Sequence, residues 1–205
     1  MNKIICVGRN YREHAKELNN PIPETPILFI KPTSCISSFE EIGATLCRYE
    51  EISYELELAI QIDQIESESS LSISGLGLGL DLTRRSLQSL LKSKGHPWER
   101  SKSFRGSCPI TNFIDYKCPV SSFDQLDIEF TLAINDEIKQ VGHINQMIFP
   151  VAQIVEDSHR EFGIDSGDIL MTGTPSGVGL LRKGDHVIAT LLKDQNIIIK
   201  KELTI

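Results

Sequence analysis

Hydrophobic positions along the chain change period several times, and each change marks an element. The apolar run KIICV at residues 3–7 predicts a short buried strand, which the GRN turn at 8–10 ends. In the following YREHAKEL, Tyr11, His14, Ala15 and Leu18 recur at i, i+3, i+4 and i+7, so one face of a helix is apolar. Asn10 with Glu13 has the spacing of a capping box at the start of that helix. NNPIPETP breaks the chain, and ILFIK reads as a strand stopped by Pro32. One longer strand is expected over 52–62, where Ile52, Tyr54, Leu56, Leu58 and Ile60 alternate with Ser53, Glu55, Glu57 and Ala59. The polar IESESSLSISG predicts a loop or short helix. GLGLGLDL begins as a glycine-rich strand, and a helix of about ten residues is expected through SLQSLLKSKG. HPWERSKSFRGSCP carries little pattern and reads as a loop. DIEFTLAIND and EIKQVGHI predict a hairpin around Asn135-Asp136, PVAQIVEDSHREF an amphipathic helix, and DILMTG and DHVIATLL two further strands. Several hairpins with few helices predict an α+β, mostly β fold, and the lack of repeats or linkers predicts a single domain over 1–205.

Composition narrows the function. The 205 residues suffice for one sizeable core, and 40% hydrophobic with 24% charged residues excludes extensive disorder. A net charge of -7 argues against nucleic acid as a partner, because phosphate binding wants basic surfaces. Positive residues do cluster between Arg84 and Arg105 (Arg84, Arg85, Lys92, Lys94, Arg100, Lys102, Arg105), as a solvated helix face or as anion contacts by one or two of them. The cysteines at 6, 35, 47, 108 and 118 are odd in number and show no C-x-x-C spacing, which predicts reduced thiols in a cytoplasm. The N-terminal apolar stretch is too short for a signal peptide, and no run is long enough to span a membrane.

Three constellations bear on chemistry. Glu55 and Glu57 share a strand face with Cα atoms roughly 7 Å apart, so their side chains either converge on a cation or lie on a solvent-washed face. Gly75, Gly77 and Gly79 leave a strand face bare for a backbone or ligand to approach, and they lack the last glycine of a dinucleotide fingerprint. Asp81 continues their parity, as a third oxygen ligand for Mg²⁺ or Mn²⁺ or as a helix N-cap. His14 and Glu17 are helix neighbours at i, i+3, as a polarised base or as a core histidine beside a surface ion pair. Lys102 near Phe104, and Thr172 and Thr174 in a Gly/Pro loop after a strand, are further candidates, though a plain tight turn accounts for the loop equally well.

Six segments, CVGRNYREHAKEL, LFIKP, YELELAI, GLGLGLDLTRRSLQ, KGHPWERSKSFRGSCP and DILMTGTPSGVG, occur in the order found in one family. The chain resembles the fumarylacetoacetate hydrolase family, in its short single-domain branch of acylpyruvate hydrolases and oxaloacetate decarboxylases. The resemblance implies Glu55, Glu57 and Asp81 as ligands of one Mg²⁺ or Mn²⁺. It implies Lys102, Arg85, Gln88 and Thr174 in the substrate pocket and His14 with Glu17 as a general-base dyad on a lid helix over residues 10–20. It also implies a mixed β-roll or sandwich, a homodimer, and a small-molecule 2-oxo acid substrate. Two positions depart from the family pattern: Ser53 stands where a histidine is common, and Ser86 replaces the acid of the usual ARD. Both touch the surroundings of the metal ligands and hence substrate preference.

The resemblance implies one enolate-forming chemistry with three outcomes: C–C hydrolysis of an acylpyruvate, decarboxylation of oxaloacetate, or keto–enol tautomerisation. A catalytically dead dicarboxylate-binding protein is the non-enzymatic alternative, and Ser53 and Ser86 are the features that favour it.

Overall fold

Glu57, Ala59 and Gln61 lie directly across a strand pair from Gly79, Gly77 and Gly75, and this register organises the molecule. The computed structural model describes residues 3–65 and 70–205. Strands Leu56–Ile65 and Ser70–Leu80 form an antiparallel pair at the centre of a six-stranded sheet. The sheet continues on one side through Ile169–Met171, Lys3–Gly8 and Ile27–Pro32, and on the other through Ile114–Pro119. It is mixed, because Lys3–Gly8 runs parallel to Ile169–Met171 while the other pairings are antiparallel.

A second, antiparallel sheet takes the order Glu137–His143, Ile128–Ile134, His186–Lys193, Asn196–Thr204. Both Asn135 and Asp136 have positive φ, at 53° and 65°, as a tight hairpin turn requires. Alternation explains how the sheets meet. Leu56, Leu58, Ile60, Leu76, Leu78 and Leu80 share one core with Phe130, Leu132, Val187, Ala189 and Leu191. The opposite face of the six-stranded sheet carries a smaller apolar cluster that includes Cys6, Phe29, Ala59, Cys108, Ile110 and Met171. The expected α+β, mostly β sandwich is therefore the observed class, with open sheets.

Several local expectations change. The expected 52–62 strand is interrupted at Glu55. Ile52–Tyr54 pairs with Gly179–Leu180 and Thr83–Arg84 in a separate small sheet, and the amide of Leu56 donates to the Gln140 side chain. The serine-rich segment 65–75, expected as a loop or short helix, is strand wherever it is described: one strand runs to Ile65 and the next begins at Ser70, while 66–69 lie outside the described residues. The segment after His96 expected as a loop contains the helix Glu99–Lys102 and the short strand Cys108–Pro109. The capping box is absent. The helix Arg12–Glu17 begins after Tyr11 without a side-chain cap, Glu13 pairs with Lys16, and Asn10 turns inward. There Asn10 donates to the carbonyls of Phe149 and Thr172 and accepts from the Phe149 amide, which ties the helix entry to two loops.

The bare glycine face is covered by the chain itself. The Thr111 amide donates to the Leu78 carbonyl, and a Cβ on Gly77 would lie 3.2 Å from the Phe113 ring. Gly77→Val is expected to force that ring aside at a cost of about 1–3 kcal/mol, lowering Tm by on the order of 5 °C. Thermal unfolding checks this, and an unchanged Tm would mean that the crossing segment does not pack as described.

Candidate active site

The interrupted strand delivers Glu55 and Glu57 to one place, and the end of the glycine strand delivers Asp81. The Asp81 amide donates to the Glu55 carbonyl, which fixes the two strand ends together. One oxygen of each carboxylate lies within 4.8 Å of the others. All three side chains are buried, at 4%, 2% and 1% exposure, so the solvent-washed face is ruled out for Glu55 and Glu57. Asp81 is not a helix N-cap either, since the helix Arg85–Ser93 begins after Arg84.

Burying three acids together demands positive charge. Lys102 Nζ lies 2.7 Å from Glu55 and 2.5 Å from Asp81, and Arg85 pairs with the other Glu55 oxygen. Lys31 Nζ approaches the remaining Asp81 oxygen at 2.8 Å. That Asp81 oxygen nevertheless makes no well-aligned hydrogen bond, and the contact is ionic in character. Burial alone pushes the Glu55 carboxyl up, but Lys102 and Arg85 outweigh it and hold the group well below the usual carboxylate range. Glu57 has no ion pair among the described residues and accepts one hydrogen bond, from the Gly173 amide at 2.8 Å. Burial, with the charges of Asp81 and Glu55, pushes its carboxyl well above the ordinary value.

The remaining expected residues, all but Glu17, line the same cavity, of about 300 Å³. These are His14, Arg85, Gln88, Lys102 and Thr174. His14 Nδ1 lies 3.2 Å from one Glu17 oxygen, and the other Glu17 oxygen accepts from the Gly177 amide at 3.0 Å. Glu17 thus orients the imidazole and fastens the helix to the loop after Met171. Gln88 accepts from Arg85 at 2.9 Å. Thr174 donates to the Leu56 carbonyl at 2.8 Å, so its hydroxyl braces the backbone between the two glutamates. Thr172 lies on the core side, bonded to the Leu58 carbonyl. Ser53 is buried in the small sheet, while Ser86 turns outward to Glu51.

The model of the fumarylacetoacetate hydrolase C-terminal family matches residues 3–200. The chain belongs to the fumarylacetoacetate hydrolase family. It is 35% identical over 197 residues to the oxaloacetate tautomerase YcgM of Escherichia coli, covering 93% of this chain and 88% of that one. It is 40% identical over 193 residues to a mitochondrial oxaloacetate decarboxylase of Dictyostelium discoideum, covering 90% and 86%. Its fold matches the crystal structure of fumarylpyruvate hydrolase from Pseudomonas aeruginosa, in complex with Mn²⁺ and pyruvate, with a TM-score of 0.75, 30% identity, and coverage of 93% and 85%. The protein is an enzyme of this family.

The donor set of this family member suits a hard divalent ion: three buried carboxylates on strand ends, one of them without a counter-charge. Two further residues complete the setting and were not singled out from the sequence. Lys31 is fully buried, donates to the Ser107 carbonyl and hydroxyl at 2.9 and 3.0 Å, and makes its ionic contact with Asp81. Its signal was a lysine of the same strand parity as Ile27 and Phe29, inside an apolar run. Gln140 donates to Thr174 and the Pro175 carbonyl and accepts from Leu56, holding the second sheet to the site. Nothing in EIKQVGH distinguishes it.

The raised Glu57 sets a pH dependence. Unfolded, it loses its proton near about 4.3; folded and without metal, it keeps the proton to a higher pH. Between those values the unfolded state binds fewer protons, so stability falls as pH rises, by at most about 1.4 kcal/mol per unit. With chelator present, Glu57→Gln is expected to flatten this fall above the unfolded value and to raise Tm at the upper end of it. Thermal unfolding across that range checks it, and an unchanged slope would show that Glu57 is not the buried acid responsible.

Proposed function

We propose that the protein is a divalent-metal-dependent enzyme acting on small 2-oxo acids with a second carbonyl or carboxylate beyond C3. The observation that carries this reading is the convergence of Glu55, Glu57 and Asp81 with His14 and Lys102 in one cavity. Glu55, Glu57 and Asp81 would hold Mg²⁺ or Mn²⁺. Bound there, the ion supplies Lewis-acid stabilisation of negative charge on the substrate C2 oxygen. Arg85 and Gln88 orient the carboxylate end of the substrate, and Thr174 shapes the pocket beside them with its hydroxyl proton held by the Leu56 carbonyl. Lys102 adds positive charge beside the developing enolate. With Nδ1 directed at Glu17, His14 keeps Nε2 to take a proton from water or from C3. Hydrolysis of an acylpyruvate and tautomerisation of oxaloacetate both need that base, whereas decarboxylation of oxaloacetate releases CO₂ without it. The engaged His14–Glu17 pair favours tautomerisation or hydrolysis over decarboxylation, which does not require a base.

The helix carrying the dyad acts as a lid, held shut by the Glu17–Gly177 contact. The whole chain works as one catalytic domain, and we read it as a homodimer. Ile138 and Val141, exposed on the edge strand Glu137–His143, support a protein contact there. No helix among the described residues is long and apolar enough to cross a membrane, and five free cysteines suit the reducing cytoplasm.

The test follows enol decay and pyruvate release from oxaloacetate, and pyruvate release from acetylpyruvate, with Mg²⁺ and then with excess chelator. Chelator-sensitive rates above the enzyme-free control are expected; no such rate on either substrate would refute the reading. In His14→Ala, hydrolysis and tautomerisation are expected to fall by about 10²–10⁴-fold, with decarboxylation much less affected. Equal loss of all activities would remove the dyad from its assigned role.

A further inference from the structure

The cavity carries more positive charge than its carboxylates need. Among the described residues, Arg9, Arg85, Lys92 and Lys102 line it against Glu55, Glu57 and Asp81. Arg85 and Lys102 are committed to Glu55 and Asp81. Arg9 and Lys92 have no carboxylate partner among the described residues. A divalent ion at the carboxylates widens that surplus, and a singly charged substrate leaves most of it unanswered.

Placement gives the surplus a direction. Arg85, Gln88 and Lys92 fall on one face of the helix Arg85–Ser93 at i, i+3 and i+7. Arg85 stands at the end nearest Glu55, and Lys92 lies roughly 10 Å further along the helix axis. Lys92 therefore reaches the cavity from the side away from Glu55, where its ammonium can meet the distal end of a four- or five-carbon diacid. Lys92 is held in position, with Nζ 5.6 Å from the centre of the Trp98 ring, and Trp98 packs edge-on against Phe29 at 5.1 Å. Arg9 reaches the cavity from the turn after strand Lys3–Gly8 with φ at 58°, a left-handed backbone that side-chain-bearing residues rarely adopt. The fully buried Asn10 next to it fixes that turn by three hydrogen bonds. Strain of this kind concentrates where a side chain must be aimed. Burial, and after it the like charges of Arg9, Lys102 and Arg85, depress Lys92 below the ordinary lysine value. An anion beside it would relieve that repulsion.

We propose that Lys92 and Arg9 form a distal carboxylate subsite, so that the enzyme selects dicarboxylic 2-oxo acids over those ending in a methyl group. This rests on the 2-oxo acid reading of the cavity and names the substrate class within it.

The test compares 2-oxoglutarate with 2-oxopentanoate, which share chain length and 2-oxo acid head and differ only in the distal carboxylate. Neither has the second carbonyl group at the position needed for cleavage, so binding is measured without turnover. Calorimetry is run with Mn²⁺ present on the full chain, on Lys92→Met and on Lys92→Arg. The wild type is expected to prefer 2-oxoglutarate by about tenfold or more, the contribution of one charge-assisted hydrogen bond. Lys92→Met is expected to lose that preference while its affinity for 2-oxopentanoate stays within about twofold, and Lys92→Arg to keep it. An equal preference in Lys92→Met, or none in the wild type, overturns the subsite; chelator-sensitive turnover of oxaloacetate then leaves the 2-oxo acid reading standing. If the wild type neither binds these acids nor turns over oxaloacetate, both fall together.

Discussion

Three carboxylates buried within 4.8 Å of one another repel strongly at low dielectric, and much of the neighbouring structure answers that repulsion. Lys102 bridges two of them, Arg85 closes on the first, and Lys31 approaches the third from beneath. Lys31 is itself fully buried, and burial alone would push its ammonium down; Asp81 outweighs this and raises it. Its hydrogen bonds to Ser107 then fix the segment that leads from Lys102 into the strand Cys108–Pro109. Of the three acids, Glu57 has only a backbone amide as partner among the described residues. Among the described residues the fold thus holds one acid without an ion pair at the base of a small cavity, and that acid makes the cluster one that could hold a cation.

The scaffold keeps these charges from relaxing apart. The central strand pair supplies a rigid floor, with its apolar face packed against the second sheet. Gln140 reaches across from that second sheet to tie Thr174, Pro175 and Leu56 together. Asn10 does the same between the dyad helix and the loops at Phe149 and Thr172. Each amide satisfies its hydrogen-bonding groups while buried, so loss of either would leave unpaired polar atoms inside. Gly177 completes the arrangement: a Cβ there would lie 1.8 Å from the Lys139 carbonyl, so the loop that meets Glu17 tolerates no side chain at that point.

Strand parity made the carboxylates legible. Glu55 and Glu57 on one face, with Asp81 continuing the parity of the glycines, is a pattern that period-two geometry displays directly. Their burial was not legible, because parity cannot tell a wet face from one covered by a distant lysine or glutamine. The ladder break at Glu55 was hidden for a related reason: alternation continues through it, and only the competing partners of the small sheet and Gln140 reveal it. Asn10 misled because its capping spacing with Glu13 is local, whereas its actual partners lie more than a hundred residues away. The strand Asn196–Thr204 and the helix Ile42–Arg48 drew no expectation, since their apolar positions lack a sustained period. Lys92 was visible only as one member of a positive cluster; the cavity and the Trp98 contact distinguish it from its neighbours.

Anomalous X-ray scattering from crystals soaked in Mn²⁺ reads directly whether the buried acids form one cation site. A single strong peak is expected about 2.1 Å from an oxygen of each of Glu55, Glu57 and Asp81, with Lys102 Nζ displaced from between Glu55 and Asp81. A peak elsewhere, or none at saturating Mn²⁺ with Lys102 still bridging the two carboxylates, would contradict it.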